Sequence, residues 1–322
     1  MNEPLHMAAV TVSDLFCDKL TITIDYKSPA DQQQIAENIK EFIDAKGHAK
    51  HYPGIQYKHR VFVYSGDYPS TLQVLAEYGP KMSGLNFFRF DFNPAQVDME
   101  WIEWFLLTVL PGGVDDIVDK GRVTRIDLSV DLTGIHVDSL LAAYPGMQVS
   151  RVFCKSGRTE TLYLWGTEGA KFVVLYDKVQ QVKHQNAKWH VDKPLPPSPT
   201  TRIEIRLRPD AALVQLAEME NPFQKLIIAP LKLVPEHDEL LWRLFVAVAQ
   251  MRGAQDALLM IDDKNQRKKF RDGIKAGVPA WWHVEKLWKE WPIVLRKTFL
   301  LDSCSKPVSF QKSSKLFKKS VQ

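Results

Sequence analysis

Three segments in the second half of the chain alternate polar and apolar residues, and this alternation constrains the fold more than any other feature of the sequence. The segments are residues 122–132 (RVTRIDLSVDL), 171–178 (KFVVLYDK) and 200–209 (TTRIEIRLRP). Successive side chains of a β-strand point to opposite faces of the sheet, so the alternation predicts three strands, each with one apolar and one polar face. If the strands are neighbours, their polar faces form one shared surface.

The shared surface would combine carboxylates, a phenol and cations. Asp127 and Asp131 lie on the same face of the first segment, and Tyr176 and Lys178 lie on the same face of the second. Glu204 lies on the polar face of the third segment. Four arginines accompany these groups: Arg125, Arg202, Arg206 and Arg208. Attack of a tyrosine on a phosphodiester, assisted by a metal ion, needs this combination of side chains.

The two aspartates of the first segment have two interpretations. A half-exposed strand places polar residues on its wet face, and this alone explains many such patterns. Against it, aspartate is depleted in strand interiors, and carboxylate oxygens suit Mg²⁺ or Mn²⁺. Four residues of strand separate Asp127 from Asp131 by about 13 Å, so we expect only one of them to ligate a cation directly.

Glu204 and Tyr176 also have structural interpretations. Glu204 could pair across strands with an arginine such as Arg125 or Arg202, and the sequence leaves this role and a metal-ligand role open. Tyrosine is favoured in strands, so Tyr176 alone would be interpreted as a core aromatic residue. Lys178 on the same face changes that interpretation, because an ammonium can stabilise a phenolate or bind the phosphate under attack.

Composition and charge limit the class of protein. The chain has 322 residues, of which 45% are hydrophobic and 25% charged, and its net charge of +4 does not by itself argue for nucleic acid. Cys17, Cys154 and Cys304 are far apart and form no CxxC pair, so neither a zinc site nor a disulfide framework is indicated. No apolar run approaches the length of a membrane span, and we expect a soluble, cytoplasmic protein.

The chain repeats a pattern of elements, which predicts the fold class. RIDLSVDL, KFVVLYDK and RIEIRLRPDAAL in the second half correspond to LTITIDY, TLQVLAEY and FFRFDFNPAQV in the first. We expect an α+β fold in which a duplicated strand–helix–strand–strand–strand–helix unit forms a mainly antiparallel sheet with helices on one face. The predicted domains are a structural or DNA-platform repeat (1–113), a catalytic repeat (114–222), a C-terminal helical region (223–302) and a basic flexible tail (303–322).

The sequence also predicts the structure of three further segments. The repeat predicts a short helix over residues 136–144, and the proline-rich residues 190–200 predict an extended link. From residue 238 onward the spacing of apolar residues predicts helices, and the helix over 263–276 is basic. Its exposed cations favour contact with phosphate, above all Lys264, Lys268 and Lys269.

Taken in order, VTRIDLSVDLTG, TLYLWGTEGAKFVVLYDK and TTRIEIRLRP resemble the Rep-trans family of plasmid and phage rolling-circle replication initiators, over residues 121–209. The resemblance implies a sequence-specific DNA endonuclease and ligase that depends on a divalent metal, Mg²⁺ or Mn²⁺. Tyr176 matches the nucleophilic tyrosine of the family, and Lys178 follows it. Acidic positions near the metal are matched by Asp127, Asp131 and Glu204. The chain departs from the family at Gln180 and Gln181, where members often carry an acidic residue.

The resemblance also implies a course of reaction and a set of partners. A 5′-phosphotyrosyl link would form and release a 3′-hydroxyl, which primes a polymerase. Origin DNA would be held by cations, namely Arg125, Arg202, Arg206, Arg208, Lys264, Lys268 and Lys269. A host helicase, a host polymerase and a second copy of the chain are further partners that fit such an initiator.

Two other functions remain open on the sequence. A non-catalytic, sequence-specific DNA-binding protein, such as a repressor or a partition factor, could use the same fold and would act equally well in a chelator. A metal-dependent nuclease could use water as its nucleophile, with Tyr176 in a structural role. Such a nuclease would cleave DNA without forming a covalent adduct.

Overall fold

The structure is a computed structural model, and it describes residues 10–46, 49–64, 72–153, 157–165, 171–231 and 239–303. The protein is α+β, with a large, mainly antiparallel sheet and a series of helices toward the C-terminus. This confirms the predicted fold class. In the described ranges, no helix combines the length and apolarity that crossing a bilayer requires.

The elements follow one another along the chain in the order that their numbers give. The strands are β1 Thr11–Val12, β2 Phe16–Ile24, β3 Ala49–Pro53, β4 Tyr57–Tyr64, β5 Leu72–Pro80, β6 Phe88–Phe92, β7 Gly121–Thr133, β8 Leu140–Ala143, β9 Gln148–Phe153, β10 Thr159–Trp165, β11 Lys171–Asp177, β12 Thr200–Leu207, β13 Ala211–Ala212 and β14 Ile227–Pro230. The helices are α1 Pro29–Lys46, α2 Met99–Val109, α3 Asp115–Lys120, α4 Lys178–Trp189, α5 Leu213–Leu216, α6 Glu239–Arg252, α7 Ala254–Leu259, α8 Lys264–Ala276, α9 Val284–Trp288 and α10 Trp291–Thr298.

The chain forms two compact units. Unit 1 draws its described residues from Met1–Phe16, Leu128–Leu207 and Asn221–Lys289. Unit 2 draws its described residues from Cys17–Asp127, Arg208–Glu220 and Glu290–Gln322. The boundaries of the four predicted domains follow the sequence repeat and not these units, and the domain division stays a prediction. Apart from Ser303, the predicted basic tail lies outside the described residues.

The strand order within each unit is what the predicted duplication requires. In unit 2 the order is β3-β4-β5-β6-β2, followed by the first part of β7. In unit 1 it is β9-β10-β11-β12, followed by the last part of β7. Each repeat therefore places its first strand beside its last, β2 beside β6 and β7 beside β12. The strands β3 to β6 and β9 to β12 pair antiparallel with their sequence neighbours.

The predicted helix over residues 136–144 is wrong. The chain makes one 3₁₀ turn at Val137–Ser139 and then enters strand β8, which pairs antiparallel with β14. A nine-residue segment is too short to be stable as a helix without tertiary support. Here Leu140 and Leu141 are almost fully buried in the β8–β14 pair instead.

The end of the second predicted strand also differs from expectation. Strand β11 ends at Asp177, and Lys178 is the first residue of α4. The Asp177 side chain accepts a hydrogen bond from the backbone N–H of Gln180 at 3.0 Å, as a helix N-cap does. After α4, residues 191–199 contain neither helix nor strand, as the proline-rich link predicts.

Apolar side chains from the alternating strands form the core of unit 1. The face of β10, β11 and β12 opposite the polar surface is fully buried, with its core residues Leu162, Leu164, Val173, Leu175, Ile203 and Ile205 all at 0% exposure. A second cluster joins the C-terminal helices, where Trp242 and Phe245 of α6 pack on Phe270 of α8 with ring centroids 5.5 and 4.9 Å apart. Burial of these rings holds α8 against α6.

Tyr26 and Asp116 form a buried polar pair within unit 2. The Tyr26 hydroxyl donates to Asp116 Oδ2 at 2.6 Å, Lys120 Nζ lies 2.7 Å from Oδ1, and the Gly112 N–H donates at 2.9 Å. Burial, together with the hydrogen bond to Asp116, raises the pKa of Tyr26 well above its usual value. Burial alone would raise the pKa of Asp116, but hydrogen bonds from Lys120, Tyr26 and Gly112 outweigh it and lower that pKa.

Candidate active site on the polar sheet face of unit 1

The register of β11 and β12 places the predicted phenol and glutamate on one face of the sheet. Tyr176 lies directly opposite Arg202, and Val174 lies directly opposite Glu204. Residues directly opposite each other share a face, so Tyr176 and Glu204 are diagonal neighbours about 7–8 Å apart. On the other side of β11, Thr161 of β10 lies opposite Tyr176. Two of the three predicted strands are therefore neighbours through β11–β12 pairing, and β7 follows β12.

An open cleft of about 520 Å³ lies on this face. Strands β10, β11 and β12 form one wall, and α4 forms the other. The lining includes Tyr176, Glu204 and Arg206 from the strands and Gln181, His184 and Lys188 from the helix. The side chain of Tyr176 is only 9% exposed, yet the residue borders the cleft.

Lys178 supplies a buried cation beside the phenol. Its ammonium lies 5.9 Å from the centre of the Tyr176 ring, and it donates a hydrogen bond to Gln181 Oε1 at 2.7 Å. Only 7% of Lys178 is exposed. Lysines are rarely buried, and the start of a helix disfavours positive charge, so this position is costly for a lysine. A buried charge with such a free-energy cost is typical of a functional residue.

A side-chain relay fixes the first turn of α4. His136 and Asp177 interact through Nε2 and Oδ2 at 2.9 Å, while His136 Nδ1 accepts the backbone N–H of Asp138 at 3.1 Å. Because Nδ1 accepts, Nε2 carries the hydrogen and donates to Asp177. The carboxylate of Asp138 in turn accepts the backbone N–H of Thr159 on β10 at 2.9 Å. The relay ties α4, and with it Lys178, to strand β10.

Each predicted metal-ligating acid interacts with an arginine. Asp131 accepts two hydrogen bonds from Arg202, at 2.7 and 2.8 Å, and the Arg202 guanidinium also lies 4.8 Å from the Phe16 ring centre. Glu204 accepts a hydrogen bond from Arg206 at 2.8 Å. In unit 2, Asp127 accepts two from Arg125, at 2.9 and 2.5 Å. Bidentate pairing with a guanidinium occupies the oxygens that a cation would need.

The predicted metal site does not fit this arrangement of donors. Across the described ranges, no group of three or more histidine, cysteine, aspartate or glutamate side chains is arranged to hold a metal ion. Mg²⁺ and Mn²⁺ prefer several oxygen ligands in one shell. The acids would have to leave their arginine partners to supply such a shell.

The sequence analysis did not identify two further side chains that border the cleft. Glu160 Oε1 and His184 Nδ1 lie 3.4 Å apart, and both border the same cleft as Tyr176. The register of β9 and β10 shifts between Thr159 and Thr161, and such a bulge redirects the side chain of its extra residue, here Glu160. Nothing in the sequence marks this bulge. The Asp177 cap could have been found, because Asp177 and Gln180 have the spacing of a helix start.

The predicted DNA-binding cations fall into separate groups. Arg206 borders the cleft, and Arg202 is buried against Asp131. Arg208 is exposed in unit 2, where Arg125 contacts Asp127. The three predicted lysines are exposed on α8 and do not line the cleft, namely Lys264, Lys268 and Lys269.

Comparisons with known proteins do not assign a family. No family model and no curated protein matches the chain. A solved structure described as the rolling circle replication initiator protein from Geobacillus stearothermophilus is similar to 88% of this chain and 97% of its own chain, at 15% identity and a TM-score of 0.39. A similarity at this level does not show what this chain does.

Proposed function

We propose that this protein is a rolling-circle replication initiator that nicks and rejoins origin DNA through Tyr176. One observation carries the proposal: a tyrosine and a glutamate border one open cleft on a sheet face, and a buried lysine lies beside the tyrosine ring. A nucleophile held by packing on a strand, beside a lysine that the relay holds in position, is well placed for a reaction that needs precise approach.

The proposed reaction conserves the phosphodiester bond energy. Tyr176 Oη attacks the phosphorus, the P–O3′ bond breaks, and a 5′-phosphotyrosyl link forms. The phenol proton passes to a carboxylate, for which Glu204 is the proposed acceptor, and the departing O3′ takes up a proton from solvent water. Attack by a 3′-hydroxyl on the phosphotyrosyl link reverses these steps and reseals the strand, so rejoining needs no ATP.

Lys178, beside the phenol, and Arg206, in the cleft, have separate roles in this proposal. A phenol is a weak nucleophile near neutral pH, because its pKa is about 10. The Lys178 ammonium beside the ring would favour the phenolate that attacks. Arg206, which borders the cleft, would hold the non-bridging oxygens and stabilise the charge that grows on them.

The divalent cation, Mg²⁺ or Mn²⁺, stays a prediction, because each of its predicted ligands is hydrogen-bonded to an arginine. When bound, such an ion would add Lewis-acid stabilisation of the phosphate. No step above depends on it. A host helicase, a host polymerase and a second copy of the chain are proposed partners, as the resemblance to replication initiators implies.

Nicking of plasmid DNA tests the proposal. The substrate is a supercoiled plasmid that carries the gene for this chain and its flanking DNA. The wild type should convert it to open circles and Tyr176→Phe should not, while both proteins shift the same DNA in a native gel. Unchanged nicking by Tyr176→Phe would remove the phenol from the reaction.

A non-catalytic DNA-binding protein is the second candidate, and a specific observation favours it. All three predicted metal ligands are hydrogen-bonded to arginines, as structural ion pairs are. On this alternative, the polar face is a structural network and α8 carries the contacts to phosphate. Such a protein would bind the same DNA with or without a chelator and would never nick it.

A further inference from the structure

A second cavity lies in unit 1, at the C-terminal helices. Its volume is about 350 Å³, and it shares no lining residue with the Tyr176 cleft. The floor is apolar and includes Leu164, Leu258 and Ile274, with Tyr144 at the side. We call it the α8 pocket, because Arg271, Ile274 and Lys275 of α8 all line it.

The pocket is apolar because α8 is strongly amphipathic. Phe270 and Ile274 are buried, at 1% and 3% exposure, and they anchor one face of the helix. Arg271 and Lys275, one turn apart, are exposed at the boundary between this face and solvent. Ligand pockets usually measure about 300–1,000 Å³, so a cavity of this volume suits a single small ring system.

Cations continue from the pocket along α8. Lys264, Lys268, Arg271 and Lys275 follow at intervals of four, three and four residues, which places them in one row on the helix surface. All four are exposed. Neighbours in the row are separated along the helix axis by a rise of about 4.5–6 Å. Asp272 is the one acidic residue of the helix, so the row favours a ligand with repeated negative charges.

Another cation lies at the tyrosine of the pocket. Lys171 Nζ donates to the Tyr144 hydroxyl at 2.7 Å and lies 5.0 Å from the centre of its ring. An aromatic ring held in this way offers a flat surface beside positive charge. Stacking of a base on an aromatic side chain, beside cations that follow the backbone, is the usual basis of single-strand binding.

We propose that the α8 pocket receives one unpaired base of a single DNA strand, while phosphates of the same strand lie along the α8 row. The base must be unpaired because a paired base cannot leave its stack to enter a cavity. An acidic peptide would match the charge, but it would not supply a flat ring together with anions at regular intervals. The inference rests on the proposed function for its choice of DNA, since nicking leaves unpaired strand near the break.

The test compares binding of intact and base-free strands. Two oligonucleotides of equal length are used, one of mixed sequence and one that carries abasic sugar-phosphate units throughout. Affinities are measured by fluorescence anisotropy with the full chain carrying Tyr176→Phe. The intact strand should bind about tenfold more tightly, because one stacked base contributes on that scale.

Variants of the pocket sharpen the comparison. Ala143→Leu fills the cavity and should abolish the preference for the intact strand without changing affinity for the abasic one. Ala247→Leu, on the exposed face of α6, is the matched control and should keep the preference. Lys268→Ala, in the row but outside the pocket, should weaken binding of both strands equally, and it tests the row if Ala143→Leu does not fold.

The outcomes separate this inference from the proposed function. Equal affinity of the Tyr176→Phe chain for intact and abasic strands would contradict the proposal that the α8 pocket binds a base. This holds even if the wild-type protein forms a covalent adduct with DNA. A preference that survives Ala143→Leu would also overturn it. A preference that Ala143→Leu removes, in a protein that never forms an adduct, would support the pocket and reject the nicking function.

Discussion

The Lys178 ammonium lies 5.9 Å from the centre of the Tyr176 ring, although the two residues belong to different elements. Tyr176 is on β11 and Lys178 opens α4, so their contact depends on the angle at which the helix leaves the strand. That angle is fixed by the Asp177 cap and by the bond from His136. The chemistry proposed for the phenol therefore depends on the turn between the two residues.

Replacing Lys178 by methionine should slow nicking about 100-fold, a loss typical for one electrostatic contact in an active site. Methionine keeps the length and the apolar contacts of the side chain but removes its charge. Single-turnover nicking rates on the plasmid substrate measure the effect. Lys183→Met, an exposed position of the same helix that does not line the cleft, is the control and should nick at the wild-type rate.

Replacing His136 by phenylalanine should slow nicking by up to about 100-fold, since small displacements of a reactive group have effects of this size. His136 touches no substrate in the proposed reaction; it positions α4 through Asp177. His136→Gln keeps an N–H donor and should restore part of the rate, which a purely packing role would not predict. DNA affinity should be unchanged in both variants, and His283→Phe, at an exposed site, serves as the control.

Asp116 should make the stability of the protein depend on pH. Its folded-state pKa is lowered, so its ionised form stabilises the fold above its unfolded pKa of about 4, and the stabilisation is lost as pH falls through the folded pKa. Asp116→Asn should therefore lower the urea midpoint at pH 7, and the difference from wild type should shrink near pH 3. Asp44→Asn, at an exposed position of α1, is the control.

Removing divalent cations tests the predicted metal requirement. If the predicted ion is required, EDTA stops nicking, Mg²⁺ or Mn²⁺ restores it, and Asp131→Asn raises the concentration needed. Nicking that persists in EDTA would assign charge stabilisation to Lys178 and Arg206 alone. Titration of each ion against the nicking rate, with DNA binding followed in parallel, distinguishes the two results.

Much of the site follows from the period of a β-strand, and this explains which expectations hold. A period of two places Tyr176 and Glu204 on polar faces, and pairing of β11 with β12 then places both on the same surface. The shared order of strands in the two units follows from the repeat in the sequence. These features depend on local pattern, which the sequence displays directly.

Other features depend on interactions that a pattern does not encode. Lys178 continues the strand pattern, but the Asp177 cap ends β11 and begins a helix there. Glu160 borders the cleft because of a bulge, and a bulge leaves no periodic signal. The pairing of Asp131 with Arg202 depends on the rotamers that the two side chains adopt on their separate strands. Each of these is decided by tertiary contacts.

Capture of a covalent protein–DNA adduct tests the central claim most directly. Single-stranded oligonucleotides that tile the gene and its flanking DNA are labelled at the 3′ end, so that the fragment joined to the tyrosine carries the label. On a denaturing gel, the wild type and Tyr163→Phe, a second tyrosine bordering the same cleft, should yield a labelled band at the mass of protein plus fragment. Tyr176→Phe should yield none, and a labelled adduct of undiminished intensity in that variant would contradict the account.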